Sequence, residues 1–381
     1  MSRDQMASAD TCFVTSLPQE LIDKVLDEIG PDLDALKSCS LVCHTWLSRS
    51  TQNLFAQARV CVRAVEGVAD ADVMYALLGP GRIHDYVTTL SMYQVLFEQW
   101  AVVKTLPRLR KLYVCSYSDM FEQNTEAPLV VPEPFALGRS IDILVVYLMP
   151  LHLLDWILRM FDTIDTLDIH TIKDVAVPTK PAHHIVRSCH TKYIGRTVFN
   201  YIADALDTDG LESVTIDVDG YGVLADAFVK KVERSIKAYH HIDRTINFRA
   251  LRSPVLSACQ NLTSVSLSTH AFNPNRPDFF DRTVAFLGAL PPNVEHIGLV
   301  YTTYWTTAGE LAQKVLQCAW DKLGFALLKY TRLIRLAIGA ERDRPWYDGY
   351  PEYPKFLDDP SLGESILGRL PEELRDRVVF V

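Results

Sequence analysis

No stretch of this chain is both long and apolar enough to cross a bilayer. The most hydrophobic window, 141–158, is broken by Asp142, Pro150, His152 and Asp155, whereas a span needs about 20 nearly unbroken apolar residues. Runs of Lys and Arg are missing too. The 38 basic residues are outnumbered by 47 acidic ones, giving a net charge of −9. Without a basic cluster there is no footprint for phosphate neutralisation, so nucleic acid is not an expected partner. The eight cysteines (12, 39, 43, 61, 115, 189, 259 and 318) never form a Cys-x-x-Cys pair. Scattered this way they read as small apolar side chains in a reducing compartment, not as a disulfide framework. Residues 1–16 hold no apolar h-region, so no secretory signal is expected. Catalytic signatures are also missing: there is no His-Glu-x-x-His, no Gly-x-Ser-x-Gly and no phosphate loop. His183-His184 and His240-His241 are adjacent pairs, and neighbouring side chains do not converge on one metal. No metal, cofactor or enzymatic activity is expected.

What is there supports a folded protein. With 381 residues, 48% hydrophobic and 22% charged, the chain can bury a substantial core and hold two or three domains. Residues 16–55, SLPQELIDKVLDEIGPDLDALKSCSLVCHTWLSRSTQNLF, carry two successive amphipathic patterns. The first starts at Ser16, an N-cap residue with Gln19 as its capping-box partner and Pro18 in the first turn. Leu21, Ile22, Val25, Leu26 and Ile29 form its apolar stripe, and Gly30-Pro31 stops it. Asp32 or Asp34 caps the second pattern, whose stripe is Leu33, Leu36, Cys39, Val42, Cys43, Trp46 and Leu47. A hairpin this short has little core of its own, so its apolar residues are divided between an internal seam and something else.

The order Leu17-Pro18, Glu20-Leu21, Val25, Ile29, Asp32-Leu33, Leu36, Val42-Cys43, Trp46 and Leu54-Phe55 resembles the F-box, and DLDALKSCSLVCHTWL is most similar to the fungal, mushroom-type group. The resemblance implies that the chain docks on a Skp-family adaptor. Through it the chain joins a cullin-RING ubiquitin ligase as a non-catalytic substrate receptor, cytoplasmic or nuclear. It implies that Leu17, Pro18, Leu21, Val25, Ile29, Leu36, Val42, Cys43 and Trp46 make the adaptor interface and its supporting seam.

Beyond residue 58 strand-like and helix-like textures alternate. Short runs share the form apolar-x-x-apolar-x-apolar: VTTLSM (87–92), LRKLYV (109–114), IDILVV (141–146), IDTLDI (164–169), LESVTI (211–216), LTSVSL (262–267), VEHIGL (294–299) and LIRLAI (333–338). The longer gaps leave room for degenerate copies near 185–194 and 242–248. Helical patterns fall at 93–105, 151–161, 196–207, 223–238, 279–290 and 308–329. Such alternation favours parallel strands with helical crossovers. Two architectures fit: an irregular solenoid resembling leucine-rich repeats, with parallel strands and outer helices, and a doubly wound α/β sheet. The former is favoured because the phrases recur, although the Asn that usually follows such strands is missing.

The expected organisation is therefore a flexible leader at 1–13, an F-box at 14–58, a repeat-like substrate-recognition domain at 59–340, and an acidic, Pro- and aromatic-rich loop with a C-terminal cap at 341–381. Trp346, Tyr347, Tyr350 and Tyr353 stand in that loop. A protein substrate is expected on the strand face, at Tyr113, Asp168, His170, Thr215, Ser266 and Tyr301.

Overall fold

A computed structural model describes residues 17–29, 32–56, 84–93, 100–115, 137–173, 183–217, 222–243, 254–270, 279–303, 316–342 and 360–381. The leader, Ser16, and the loop aromatics Trp346, Tyr347, Tyr350 and Tyr353 lie outside these described residues. The chain divides into two compact units, Met1–Pro132 and Glu133–Val381.

The first unit opens with helices α1 (Gln19–Ile29), α2 (Leu33–Ser40) and α3 (His44–Ala56). The second amphipathic pattern is thus two helices, not one. Ser38 and Ser40 donate their hydroxyls back to the carbonyls of Asp34 and Lys37, at 2.9 and 2.6 Å, competing with the helical ladder. The chain then turns through Leu41 and Val42 and restarts as α3, with Trp46 and Leu47 N–H groups donating to the Cys43 carbonyl. Asp32 caps α2 as expected, its carboxylate accepting from the N–H groups of Asp34 and Ala35. The capping-box partner expected for Gln19, Ser16, lies outside the described residues; the Gln19 amide donates to Asp23 at 2.7 Å and to the Thr45 carbonyl at 3.3 Å. Beyond α3, Thr88 hydrogen-bonds the Ala56 carbonyl through both its N–H and its hydroxyl. Strand β1 (Thr89–Tyr93), the short helix α4 (Ala101–Thr105) and strand β2 (Lys111–Cys115) follow, with β1 and β2 parallel.

The second unit is an alternating α/β structure. It contains β3 (Ser140–Tyr147), α5 (Leu151–Leu158), β4 (Thr163–His170), β5 (Ile185–Lys192), α6 (Arg196–Ala205), β6 (Ser213–Asp217), α7 (Gly222–Lys231) and β7 (Ala238–Asp243). After a 3-10 turn at Pro254–Ala258 come β8 (Ser264–His270), α8 (Phe279–Gly288), β9 (His296–Thr303), α9 (Trp320–Leu327) and β10 (Arg335–Arg342). Helices α10 (Pro360–Arg369) and α11 (Glu372–Arg375) precede the terminal strand β11 (Val378–Phe380). From β3 to β11 every strand pairs in parallel with the next one in the chain. A doubly wound sheet reverses its strand order at a switch point. Here there is no reversal, so that alternative is set aside and the order is that of a solenoid-like α/β sheet.

The recurring phrase supplies the core. In the second unit its middle apolar positions form one row across nine strands: Leu144, Leu167, Cys189, Val214, Tyr239, Val265, Ile297, Leu336 and Val378. The third positions form a second row, from Val146 and Ile169 through Thr191, Ile216, His241, Leu267 and Leu299 to Ile338. The first positions, Ile141, Ile164, Val186, Leu211, Ile236, Leu262, Val294 and Leu333, are buried as well. The copy expected near 185–194 is present as Val186, Cys189 and Thr191. The copy expected at 242–248 is displaced to 236–241, because Tyr239 and His241 fill positions that an apolar search passes over. The two rings meet through a Tyr239 hydroxyl to His241 Nδ1 contact of 2.9 Å. The helical patterns run long in several places: α6 and α8 stop at Ala205 and Gly288, and α7 stops at Lys231, well short of 238, where β7 begins. The expected tail loop loses Glu341 and Arg342 to β10, and β11 adds a strand that the composition did not suggest.

Three consecutive coils leave their strands through the same unusual backbone. Leu148, Thr171 and Tyr193, each the residue after its strand, have φ of 49°, 50° and 53°. Left-handed backbone is uncommon outside glycine. Its repetition at equivalent positions shows that the coil geometry imposes it.

His184 stands just before β5, buried, with its backbone bridging to Ala205 and Asp207. Burial, with smaller effects from Asp155, Arg159 and His183, lowers its pKa to about 4. The folded protein therefore binds fewer protons here than the unfolded chain, whose histidine titrates near 6.5. Stability is retained above that value and lost as pH falls towards 4, by at most about 3 kcal/mol. His184→Leu should flatten this dependence. Urea unfolding at pH 7 and pH 5 should show a smaller drop in the variant than in the parent.

Candidate functional site

Large apolar side chains left in solvent concentrate in the first three helices. Among the described residues fourteen are exposed, and seven of them are Leu17, Leu21, Val25, Leu33, Leu41, Val42 and Leu47. Helix α1 carries two apolar rows of different fate. Ile22 and Leu26, one turn apart, are buried with Leu36 of α2. Leu21 and Val25, also one turn apart, are exposed, and so is Leu17, two residues before the helix begins; the three are 42–50% exposed. A helix that is apolar on two sides has a second surface to cover.

The internal seam is pinned by polar contacts. Arg49 of α3 forks onto Asp27 of α1, Nη2 to Oδ2 at 2.6 Å and Nε to Oδ1 at 2.8 Å. Asn53 donates to Asp27 and to the Leu26 carbonyl. The Arg49 and Asn53 hydrogen bonds hold the Asp27 carboxyl below its usual value. Cys43 stands just before α3, where hydrogen bonds from the Trp46 backbone and then from Thr45 lower its thiol pKa.

The expected interface residues fall into two groups. Leu17, Pro18, Leu21, Val25 and Val42 are exposed, whereas Leu36 is fully buried and belongs to the seam. Ile29, Cys43 and Trp46 are half-buried. The Trp46 indole N–H and the Ser50 hydroxyl, one turn apart on α3, are buried without a hydrogen-bond partner. Leu41 was missed by the helical stripe because it lies in the turn between α2 and α3, where it is 86% exposed.

The second candidate surface is the outward face of the strands in the second unit. Asp168, His190, Thr215, His240 and Ser266 are register neighbours on β4 to β8. His170 and Lys192 are neighbours in the next row. Of the residues expected to touch a substrate, Asp168, Thr215 and Ser266 therefore share one row, and His170 adjoins it. Two of them are less accessible than an open strand face suggests. Thr215 is buried, and His170 is 3% exposed, stacked on Tyr147 at 4.4 Å with its Nε2 2.6 Å from Asp168 Oδ1. Tyr301 is corrected outright: it alternates with Ile297 and Leu299 on the core side, 1% exposed and edge-on to Trp320. Tyr113 lies in the first unit, half-buried on β2. Lys192 and Ser268 were not singled out from sequence, and His190 and His240 were not expected on this face. Only the register brings them beside Asp168 and Thr215.

Burial alone would raise the Asp168 pKa, but His170, Lys192 and His190 together hold it below the usual value. Burial lowers the pKa of His190 and takes that of His240 to about 4. His240 Nε2 lies 2.7 Å from Ser268 Oγ, a nucleophile–base distance. The backbone on either side of this pair is in the parallel ladder of β7, β8 and β9. Among the described residues no three His, Cys, Asp or Glu side chains are grouped to hold a metal, and no helix is long and apolar enough to cross a membrane.

No protein-family model matches the chain, and no curated protein matches it.

The two rows of α1 make opposite demands. Leu21→Glu with Val25→Glu should change stability by no more than about 0.5 kcal/mol. Leu26→Ala, one residue further on, should cost about 2–5 kcal/mol. Chemical denaturation of the full chain separates the two; equal losses would mean that the outer row is already covered.

Proposed function

We propose that the chain is a substrate receptor of a Skp-cullin-F-box ubiquitin ligase, with the first three helices as its adaptor-docking element. The observation that carries this reading is the solvent-facing pair Leu21 and Val25, with Leu17 just before them, on a helix whose other apolar row is already buried. Apolar anchors of this kind are buried only on association, and their desolvation is the main source of affinity. The positions that resemble the F-box supply most of them. Leu33, Leu41 and Leu47 extend the contact, and Leu36 holds the seam behind it.

On this reading the chain performs no bond-breaking step. It contributes proximity by holding a protein substrate while the ligase supplies the ubiquitin chemistry. The irregular solenoid is the substrate-binding part, and its polar strand face is the surface offered. An open strand face of paired charges, hydroxyls and imidazoles suits recognition of a protein segment better than it suits catalysis in an enclosed pocket.

Affinity purification of the full chain beside a Leu17→Ala/Pro18→Ala/Val25→Ala variant tests the proposal. The Skp adaptor and a cullin should accompany the parent chain and be lost, by tenfold or more, from a variant with unchanged circular dichroism and melting temperature. Absence of both from the parent chain, or full retention by the folded variant, would overturn it.

A further inference from the structure

The buried and the exposed row of α1 are near equivalents. Ile22 and Leu26 fill the seam, while Leu21 and Val25, each one residue earlier, stand in solvent. Successive residues of a helix point about 100° apart. A turn of α1 through that angle about its own axis would put Leu21 in the place of Ile22 and Val25 in the place of Leu26. The exchange trades an isoleucine for its isomer and a leucine for a valine, so the two settings differ by one buried methylene. Hydrophobic burial has no direction of its own and does not choose between them.

Polar contacts do choose, because they depend on direction. The Asp27 carboxylate is where they meet. Arg49 forks onto its two oxygens at 2.6 and 2.8 Å, and Asn53 donates to the same carboxylate at 3.0 Å and to the Leu26 carbonyl at 3.1 Å. The remaining guanidinium nitrogen of Arg49 donates to Gln52 at 3.0 Å. Gln19, near the other end of α1, donates to the Thr45 carbonyl at 3.3 Å. Helix α1 is thus tied to α3 near both of its ends. In the turned setting Leu26 would take the place of Asp27, and the guanidinium fork would face an aliphatic side chain. A bidentate pair fixes geometry as well as adding energy, and donors left without an acceptor are costly.

We infer that Asp27 is a positioning residue for the docking surface: with Arg49 and Asn53 it sets the rotation of α1 and so selects Leu21 and Val25 as the row presented to a partner. The consequence for docking rests on the reading of the first three helices as an adaptor-docking element; the rotation does not.

The test introduces Leu21→Cys and Ile22→Cys singly into the full chain. Each is labelled under native conditions with N-ethylmaleimide, and the adduct at that position is quantified by tandem mass spectrometry. Position 21 should react at least about tenfold faster than position 22, since the parent side chains are 48% and 1% exposed. Adding Asp27→Ala should slow position 21 and speed position 22, lowering the ratio at least about fivefold. The Asp27 side chain is 44% exposed, so the variant should stay folded, which its melting temperature checks. Arg49→Lys, which keeps the charge but not the fork, should move the ratio the same way by a smaller factor. An unchanged ratio in both folded variants would overturn the inference. Faster labelling at position 22 with position 21 unaltered would also overturn it, because that is general loosening and not rotation. Adaptor capture by Asp27→Ala should fall by a factor similar to the ratio; full capture by a variant whose ratio has fallen would overturn the link to docking. Labelling needs no adaptor, so the two proposals separate. A ratio that falls, with no capture by the parent chain, sinks only the docking proposal. An unchanged ratio, with capture by the parent chain, sinks only this one.

Discussion

The parallel register of the strand rows is the constraint on which the second unit depends. Each coil presents apolar groups at a three-then-two spacing, and each group stacks on its equivalent one strand along. Between β3, β4 and β5 the pairing skips one residue: Ile141 faces Ile164 and Ile143 faces Thr166, while Asp142, Asp165 and Arg187 stand outside the register. That skip lets a three-residue interval coexist with a two-residue pleat. A slip of one residue would send every core side chain to the opposite face. The same register decides what the outward face carries. With the core rows fixed, Asp168, His190, Thr215, His240 and Ser266 can only stand side by side. The polar face is thus a consequence of the apolar one.

Cross-coil polar bonds secure the connections that the apolar rows do not reach. Asn261 donates to the Arg234 carbonyl, and Asn293 donates to the carbonyls of Gln260 and Leu262. Ser235 bonds the Thr208 carbonyl in the same way. On the helical side Tyr201 of α6 donates to Asp155 of α5, which Arg159 also grips at 2.8 Å. This buried group is satisfied from two elements, and the surrounding burial raises the Tyr201 phenol pKa far above its usual value. Such a network is costly when broken and specifies one helix packing over others.

Much of the second unit was legible in the sequence because its signal is apolar and local. All eight phrases read from the chain fall in strands or on their approach, and six of them stack in the second unit. The misses have physical causes. Tyr239 and His241 occupy core positions with polar rings, so a pattern of apolar letters could not find β7. Tyr301 looked like a surface residue because tyrosine often is one, yet its strand runs on past the phrase to Thr303, and Tyr301, two residues beyond the phrase, keeps the same alternation. Helix ends ran long because α7 continues in composition well past the last residue it holds in geometry. In the first unit the stripe of α1 read correctly as apolar, but a stripe does not say which of its edges is covered. Splitting it into Ile22–Leu26 and Leu21–Val25 required the position of α3, and that position is set by Arg49 and Asn53 on Asp27, contacts about twenty-five residues apart in the chain.

The two candidate surfaces differ in the physics by which they would bind. The outer row of α1 is apolar and lies on a helix whose seam stays intact without it, so association there draws on desolvation and needs no rearrangement of the fold. The strand face is polar, and its donors are already solvated or paired. Association there replaces water with complementary polar groups, which sets specificity and orientation more than raw affinity. A docking contact must hold whatever else is bound, and a selecting contact must release what does not fit. Apolar burial on a preformed helix row serves the first requirement. A row of imidazoles and hydroxyls, with the Asp168 carboxylate and the Lys192 ammonium among them, serves the second, because a mismatched group leaves those polar groups unpaired at a cost that no neighbouring apolar contact offsets.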